Sequence, residues 1–277
     1  MAVTRPAVPQ GWGAWLLIGV GAVYLLLMVI LPLVNVFYQA FREGWAAYVA
    51  GLTSPDALHA IGLTLLVVGV AVPLNTGLGL VTAWVLARYP LPGKGLILAL
   101  IDVPLAISPV IVGLMFILLY SPTVGMLREV VARLGLTIIF APPGMILTTL
   151  LITLPFVVRE VLPVLESGGQ EEEEAAQTLG AKGWQIFWRV TLPRIRWALL
   201  YGVILTTARA LGEFGAVAVV SGKVINQTNT LTLHIERVYM EYQTVAAFAG
   251  ASLLTLIALG TVAGQALLGQ AEPEQTG

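Results

Sequence analysis

The spacing of charged side chains constrains this sequence more than any other feature. No Asp, Glu, Lys or Arg occurs in residues 6–41, 57–87, 103–127, 134–158 or 242–271, and residues 197–222 carry only Arg209 and Glu213. A helix rises about 1.5 Å per residue, so about 20 apolar residues cover the hydrocarbon layer of a bilayer. Each run holds one crossing, which predicts helices over residues 14–36, 61–87, 97–119, 142–162, 198–221 and 244–268. The runs are continuously apolar and lack the two-residue alternation of barrel strands. The expectation is an all-α integral membrane protein with six transmembrane helices. Only 10% of the residues are charged, against roughly a quarter in a soluble domain. That surplus of apolar surface excludes a soluble enzyme.

Gly19, Gly21, Pro73, Gly77, Gly79, Pro104 and Pro109 lie inside these runs. In a membrane such residues mark close packing or kinks, and Gly77 and Gly79 are read as packing points. The first run is longer than the roughly 7–15 apolar residues of a secretory signal, so it is read as an uncleaved crossing. With the N-terminus inside, the inner side holds Arg5, Arg88, Lys94, Arg159, Lys182, Arg189, Arg194 and Arg196. The outer side holds Arg42, Arg128, Arg133, Lys223 and Arg237. The positive-inside bias then places both termini in the cytoplasm. The expected organisation is an N-terminal tail over 1–13, a transmembrane domain over 14–268 with its core from about 60, and a polar tail over 269–277. A charged inner loop lies at about 163–197 within that domain.

Several chemistries are excluded. Cysteine is absent, which removes disulfides, thiol catalysis and Cys-based metal sites. His59 and His234 each stand alone without ligands at metal spacing and are read as exposed loop histidines, so no metal site is assigned. No nucleophile–His–acid set assembles, so no catalytic residue is assigned. Lys94, Lys182 and Lys223 do not complete a phosphate-binding G-x-x-x-x-G-K-[ST] loop. A net charge of −1 without a basic stripe gives no footprint for nucleic acid.

The inner loop reads QEEEEAAQTLGAKGWQIFWRVTLPRI. Glu171–Leu179 favours a helix with acids in its first turn, where they suit the helix dipole. Gly180 ends it, and Trp184, Phe187, Trp188 and Val190 fall at helical spacing on a second short helix. An apolar patch rimmed by charge fits either a protein contact or the lipid surface. The spacing resembles the EAA loop of ABC importer permeases. The matching residues are Glu174, Ala175, Ala176, Gly180, Val190, Leu192 and Pro193, with valine where the family often has isoleucine. The resemblance implies the type I importer fold and a loop that docks in a groove of a separate ATPase. That subunit, not this chain, would bind ATP and magnesium, so no cofactor is expected here.

Further segments, RYPLPGKG at 88–95, DVPLAISPVIVG at 102–113, PFVVREVLP at 155–163 and ARALGEFGAVAVVSG at 208–222, resemble the W-type permease of sulfate/thiosulfate importers. Molybdate permeases are the alternative; an ATP-independent secondary transporter would show inverted repeats instead. The implied partners are a homologous T-type permease, two ATPase subunits, a periplasmic sulfate-binding protein and membrane lipid. The implied location is the bacterial inner membrane. Arg209 is the one basic residue deep in a crossing, and intramembrane charges mark function by default. Ser108, Thr206, Thr207, Asn75 and Thr76 offer donors to an anion on the pathway. Arg209 and Glu213, four apart, either pair as packing or a gate, or Arg209 meets sulfate directly. Asp102 is read as a structural partner of a basic or backbone group, and Arg159 and Glu160 as facing headgroups or the neighbouring loop.

Overall fold

The computed structural model describes residues 12–271. The expected tails therefore fall outside the described residues, apart from 12–13 and 269–271. The chain opens with a helix, α1, Trp12–Phe41, that includes one wide π turn at Leu26–Ile30. It turns at Gly44, whose φ of +89° suits glycine, into α2, Trp45–Thr53. The Ser54 hydroxyl then accepts from the Ala57 N–H and Pro55 takes the first turn, so α3 runs unbroken over Pro55–Arg88. After it come α4, Lys94–Ala106; α5, Pro109–Tyr120; α6, Arg128–Arg133; and α7, Pro142–Ser167. The loop helices are α8, Glu171–Thr178, and α9, Gly183–Ile186, the latter leading through a π turn at Phe187–Thr191. The chain ends with α10, Leu192–Leu211; α11, Gly215–Val220; α12, Leu231–Met240; and α13, Thr244–Ala271.

Two expected crossings are not single helices. The one placed at 97–119 bends by 107° between α4 and α5. Pro109 has no N–H and holds Ser108 extended at φ −58°, ψ 134°, so the helix cannot pass through. The one placed at 198–221 breaks at residues 212–214 between α10 and α11. Among the described residues, α1, α3, α7 and α13 are long and apolar enough to cross a bilayer, and the bent pair makes a fifth if counted as one span. Helix α10 carries Arg194, Arg196 and Arg209 and does not join them. The structure thus does not present six uninterrupted crossings.

Helices α3 and α7 form the centre, and α10 packs against both. In lipid the drive for such contacts is close packing rather than loss of water, so small residues decide them. A Cβ added to Gly79 would sit 2.7 Å from the Val157 Cβ, whereas one on Gly77 meets nothing within 4 Å. Gly79 is a packing point and Gly77 is not, which corrects half of the expectation. Gly79→Ala is expected to lower stability by about 1–3 kcal/mol through overpacking, while Gly77→Ala leaves it unchanged. Thermal unfolding in detergent checks both.

Two apolar clusters are the largest. One joins Leu63, Val112, Phe116, Met145, Ile152, Val217 and Leu233. The other joins Leu86, Val157, Val161, Leu165 and Ile195 at the loop end. The buried polar residues Asn75, Thr149, Thr153 and Thr206 lie on the same central helices, α3, α7 and α10.

Candidate functional site

The charged loop is fixed at its root by a residue the sequence reading passed over. Of the four acids that open α8, Glu173 turns inward. Arg88, the last residue of α3, donates from Nε to Glu173 Oε2 at 3.0 Å and from Nη2 to Oε1 at 2.5 Å. Its Nη1 reaches the Leu165 carbonyl of α7 at 3.1 Å, and the Thr191 hydroxyl adds a bond to Glu173 Oε1 at 2.8 Å. The planar guanidinium matches a carboxylate with two parallel bonds, which a lysine cannot do. One clamp therefore joins α3, α7, α8 and the start of α10. Glu173 and Ala176, three apart, are the half-buried residues of α8, and that spacing was the available signal.

Beyond the clamp the loop faces outward. Glu174, Ala175, Gly180 and Pro193 are exposed, and Ala176, Val190 and Leu192 are half-buried. Leu179 is 89% exposed, Trp184 64% and Trp188 61%. An apolar platform of this size, held on a clamped base, is poised for another surface. Gly180 turns the chain at φ +85°, with its N–H on the Gln177 carbonyl and the Ala181 N–H on the Ala176 carbonyl. A side chain here would meet nothing within 4 Å; glycine is needed for the backbone alone.

The second constellation lies where two helices break. A Cβ on Gly215, the first residue of α11, would come within 2.9 Å of the Pro109 Cβ, so the break before α11 rests on the break before α5. Gly113 lets α11 approach further, its would-be Cβ falling 2.7 Å from the Val219 Cβ. Glu213 stabilises this arrangement. Its Oε1 accepts from the Ala216 N–H at 3.0 Å and caps α11, and its carbonyl accepts from the Thr232 hydroxyl at 2.9 Å. Arg209 Nη1 lies 2.8 Å from Glu213 Oε2, with side-chain exposures of 34% and 1%. No N–H is aimed along that contact, so charge rather than a directed hydrogen bond holds the pair.

The other expected donors separate. Ser108 is exposed at the bend, and Thr207 is half-buried with its hydroxyl on the Val203 carbonyl. Thr76 is likewise half-buried and bonded to the Val72 carbonyl. Asn75 and Thr206 are fully buried. Asn75 donates to the Leu150 carbonyl at 3.0 Å and to the Thr153 hydroxyl at 2.6 Å, so it ties α3 to α7 rather than meeting an ion. Thr206, though unpaired, is sealed from any pathway on this chain's surface. Arg159, expected at headgroups or the loop, pairs instead with Asp102 at 2.8 Å, which gives Asp102 its basic partner. Glu160 is half-buried.

At the far end both histidines sit on helices, not in loops. His59 is half-buried on α3. His234 on α12 is 3% exposed, with Nδ1 at 3.3 Å from Arg237 Nη2. Burial, and then the Arg237 charge, hold its pKa below the ordinary value for histidine. Arg237 in turn bonds Asp56 at 2.7 Å. His234, Arg237 and Asp56 line an open cavity of about 770 Å³.

Residues 75–272 match the family model described as a binding-protein-dependent transport system inner membrane component. The chain is 51% identical over 256 residues to the sulfate transport system permease protein CysW of Synechocystis, covering 92% of each chain. It is 38% identical over 256 residues to the permease protein CysT of Escherichia coli, covering 90% of this chain and 92% of that one. Among solved structures it resembles a chain of a bacterial alginate ABC transporter in complex with an alginate-bound periplasmic protein. There the TM-score is 0.76 at 19% identity, with 92% of each chain covered, which speaks to the fold alone.

Proposed function

Because the chain belongs to the binding-protein-dependent transport system inner membrane components, we propose that it is one of two permease subunits of an ATP-driven importer of sulfate and thiosulfate. The observation that carries this reading is the clamped apolar platform at Leu179, Trp184 and Trp188, which bears Glu174, Ala175 and Gly180 on its surface and half-buries Ala176. A hydrolytic motor seated on that platform would drive the pathway, since no phosphate-binding loop occurs in the sequence. The greater identity to W-type than to T-type sulfate permeases supports this chain as the W-type member of a heterodimer. The platform would face the cytoplasm, and a periplasmic sulfate-binding protein would deliver the anion at the opposite end.

The stiffness of the clamp has a mechanical meaning in this scheme. Motion of the motor would reach α3, α7 and α10 together, because Arg88, Leu165, Glu173 and Thr191 are bonded to one another. Coupling then needs two packings of rigid helices rather than a flexible tether. Arg209 would face the pathway where the two breaks meet. A dianion in transit needs donors and positive potential without a deep trap, and Glu213 moderates the charge of Arg209.

Uptake of radiolabelled sulfate into vesicles holding the purified complex tests the reading. Competition by thiosulfate and indifference to molybdate are expected; competition by molybdate alone would assign the chain to the other oxyanion. Gly180→Val tests the coupling. A branched residue at positive φ costs ~1–2 kcal/mol, so the turn that presents α9 should shift. The chain should still insert, while ATP-driven uptake falls at least tenfold; full uptake would refute the role of the turn.

A further inference from the structure

Between the end of α7 and the start of α10 the loop end opens into a cavity of about 820 Å³, bounded by Arg189, Arg194, Arg196, Glu172, Gly168 and Pro193. Three guanidinium groups and one carboxylate give this lining a net charge of +2. The side chain of Arg194 lies directly over Gly168, where any Cβ would overlap its guanidinium. Both terminal nitrogens of Arg194 are sealed from solvent and have no hydrogen-bond acceptor. The nearest carboxylate oxygen, on Glu172, is 3.9 Å away, and that side chain is 69% exposed. Arg88, one helix away, shows what a buried guanidinium in this fold normally has, a carboxylate and a carbonyl within bonding distance. A desolvated cation without acceptors is unfavourable, and an anion held nearby offsets its charge.

At the rim, Arg189 and Arg196 are exposed. Neither has an acidic partner among the described residues. Arg196 instead lies over the ring of Trp197, 5.1 Å from its centroid. An arginine on a tryptophan beside an apolar helical run is the chemistry of a bilayer interface.

We propose that this cavity binds a tetrahedral oxyanion of the phosphate or sulfate type between Arg189 and Arg196 at its mouth, with the sealed guanidinium of Arg194 behind them contributing positive charge rather than a direct bond. Such an anion offers several acceptor oxygens at the spacing that guanidinium forks match. Two sources carry that group: the headgroup of an anionic lipid and a free inorganic oxyanion. Basic pockets between helices on the cytoplasmic side are suited to the first, and this assignment of side rests on the reading of function above. An occupied cavity would tie Gly168 of the α7 end to Arg189 and Pro193 of the docking loop, and so set the stiffness of the transmission element.

The test uses the full-length chain with its co-purifying subunits, in nanodiscs of phosphatidylcholine alone or mixed with phosphatidylglycerol. A further arm adds sodium sulfate to the phosphatidylcholine discs against sodium chloride at equal ionic strength. Thermal unfolding and bound lipid by native mass spectrometry are read in each arm. A higher Tm with retained phosphatidylglycerol identifies the lipid phosphate; a higher Tm with sulfate in phosphatidylcholine identifies the free oxyanion. Either response should vanish in Arg189→Gln/Arg196→Gln, whose changes are at exposed positions and spare the fold if Arg194→Gln does not. Equal responses in wild type and the double variant overturn the proposal. So does no response in any arm, or a variant whose only defect is loss of the ATPase, which would give the arginines to a protein carboxylate. Sulfate uptake by wild type is scored separately, so failure of the transport reading is distinguishable from failure of this site.

Discussion

Arg88→Ala is expected to release the charged loop while leaving the helices inserted. The side chains of Arg88 and Glu173 are 8% and 15% exposed. Removing one member of a buried pair strands the other and costs about 3–5 kcal/mol; residual exposure argues for about 3 here. Arg88→Lys should recover only part of it, because an ammonium cannot make the two parallel bonds and still hold the Leu165 carbonyl. The neighbouring Lys94–Glu166 pair provides a contrast. Its side chains are 32% and 46% exposed, and pairs of that kind contribute roughly 0–1 kcal/mol, so Lys94→Ala should be close to silent. Co-purification of an ATPase and the Tm in detergent are the two readouts. Arg88→Ala should lose both, and Glu174→Gln, at an exposed position, should keep the Tm whatever it does to docking. An Arg88→Ala protein with unchanged Tm and unchanged partner would show that α8 is held by something other than the clamp.

Charge spacing located the helices well because a missing charge is a property of the chain itself. The interruptions were harder. Pro109 was visible and its preference for an extended predecessor is local, yet an unbroken apolar run around it reads as a single crossing. The break at residues 212–214 carries no proline. It exists because the Glu213 carboxylate caps α11, a local contact, and because Gly215 and Gly113 let α11 lie against α5, which joins residues far apart in the chain. Asn75 was taken for a donor to a passing ion. Its polarity was legible, but the Leu150 carbonyl and Thr153 that use it are 75 and 78 residues away. His59 was missed because α3 begins at Pro55, before the apolar run, and His234 because it lies on α12, a short helix outside any charge-free run. The loop was legible in outline, since its motif is contiguous. Its anchor was not, because Arg88 and Glu173 are 85 residues apart and only the fold makes them neighbours.

Glu213→Ala is expected to be the most damaging change at the paired breaks, and its severity separates a structural pair from a gate. The substitution removes the partner of Arg209 and leaves the Ala216 N–H without its acceptor, both in a region that water does not reach freely. Arg209→Ala leaves a carboxylate that is 1% exposed with one directed donor. The loss of pairing should cost about 2–4 kcal/mol, the 34% exposure of Arg209 keeping it below the fully buried case. Arg209→Ala/Glu213→Gln removes both charges but retains an acceptor for Ala216, so it should be more stable than either Arg209→Ala or Glu213→Ala. With Glu213→Gln alone closing the cycle, a coupling of roughly 1–3 kcal/mol is the signature of direct interaction, and strict additivity would rule the pair out. Transport then decides the role. If the pair only holds α10 against α11, the double variant should regain sulfate uptake along with stability. If it gates the pathway, stability should return while ATP hydrolysis proceeds without the binding protein and uptake stays low, because the barrier that a delivered anion must displace would be gone.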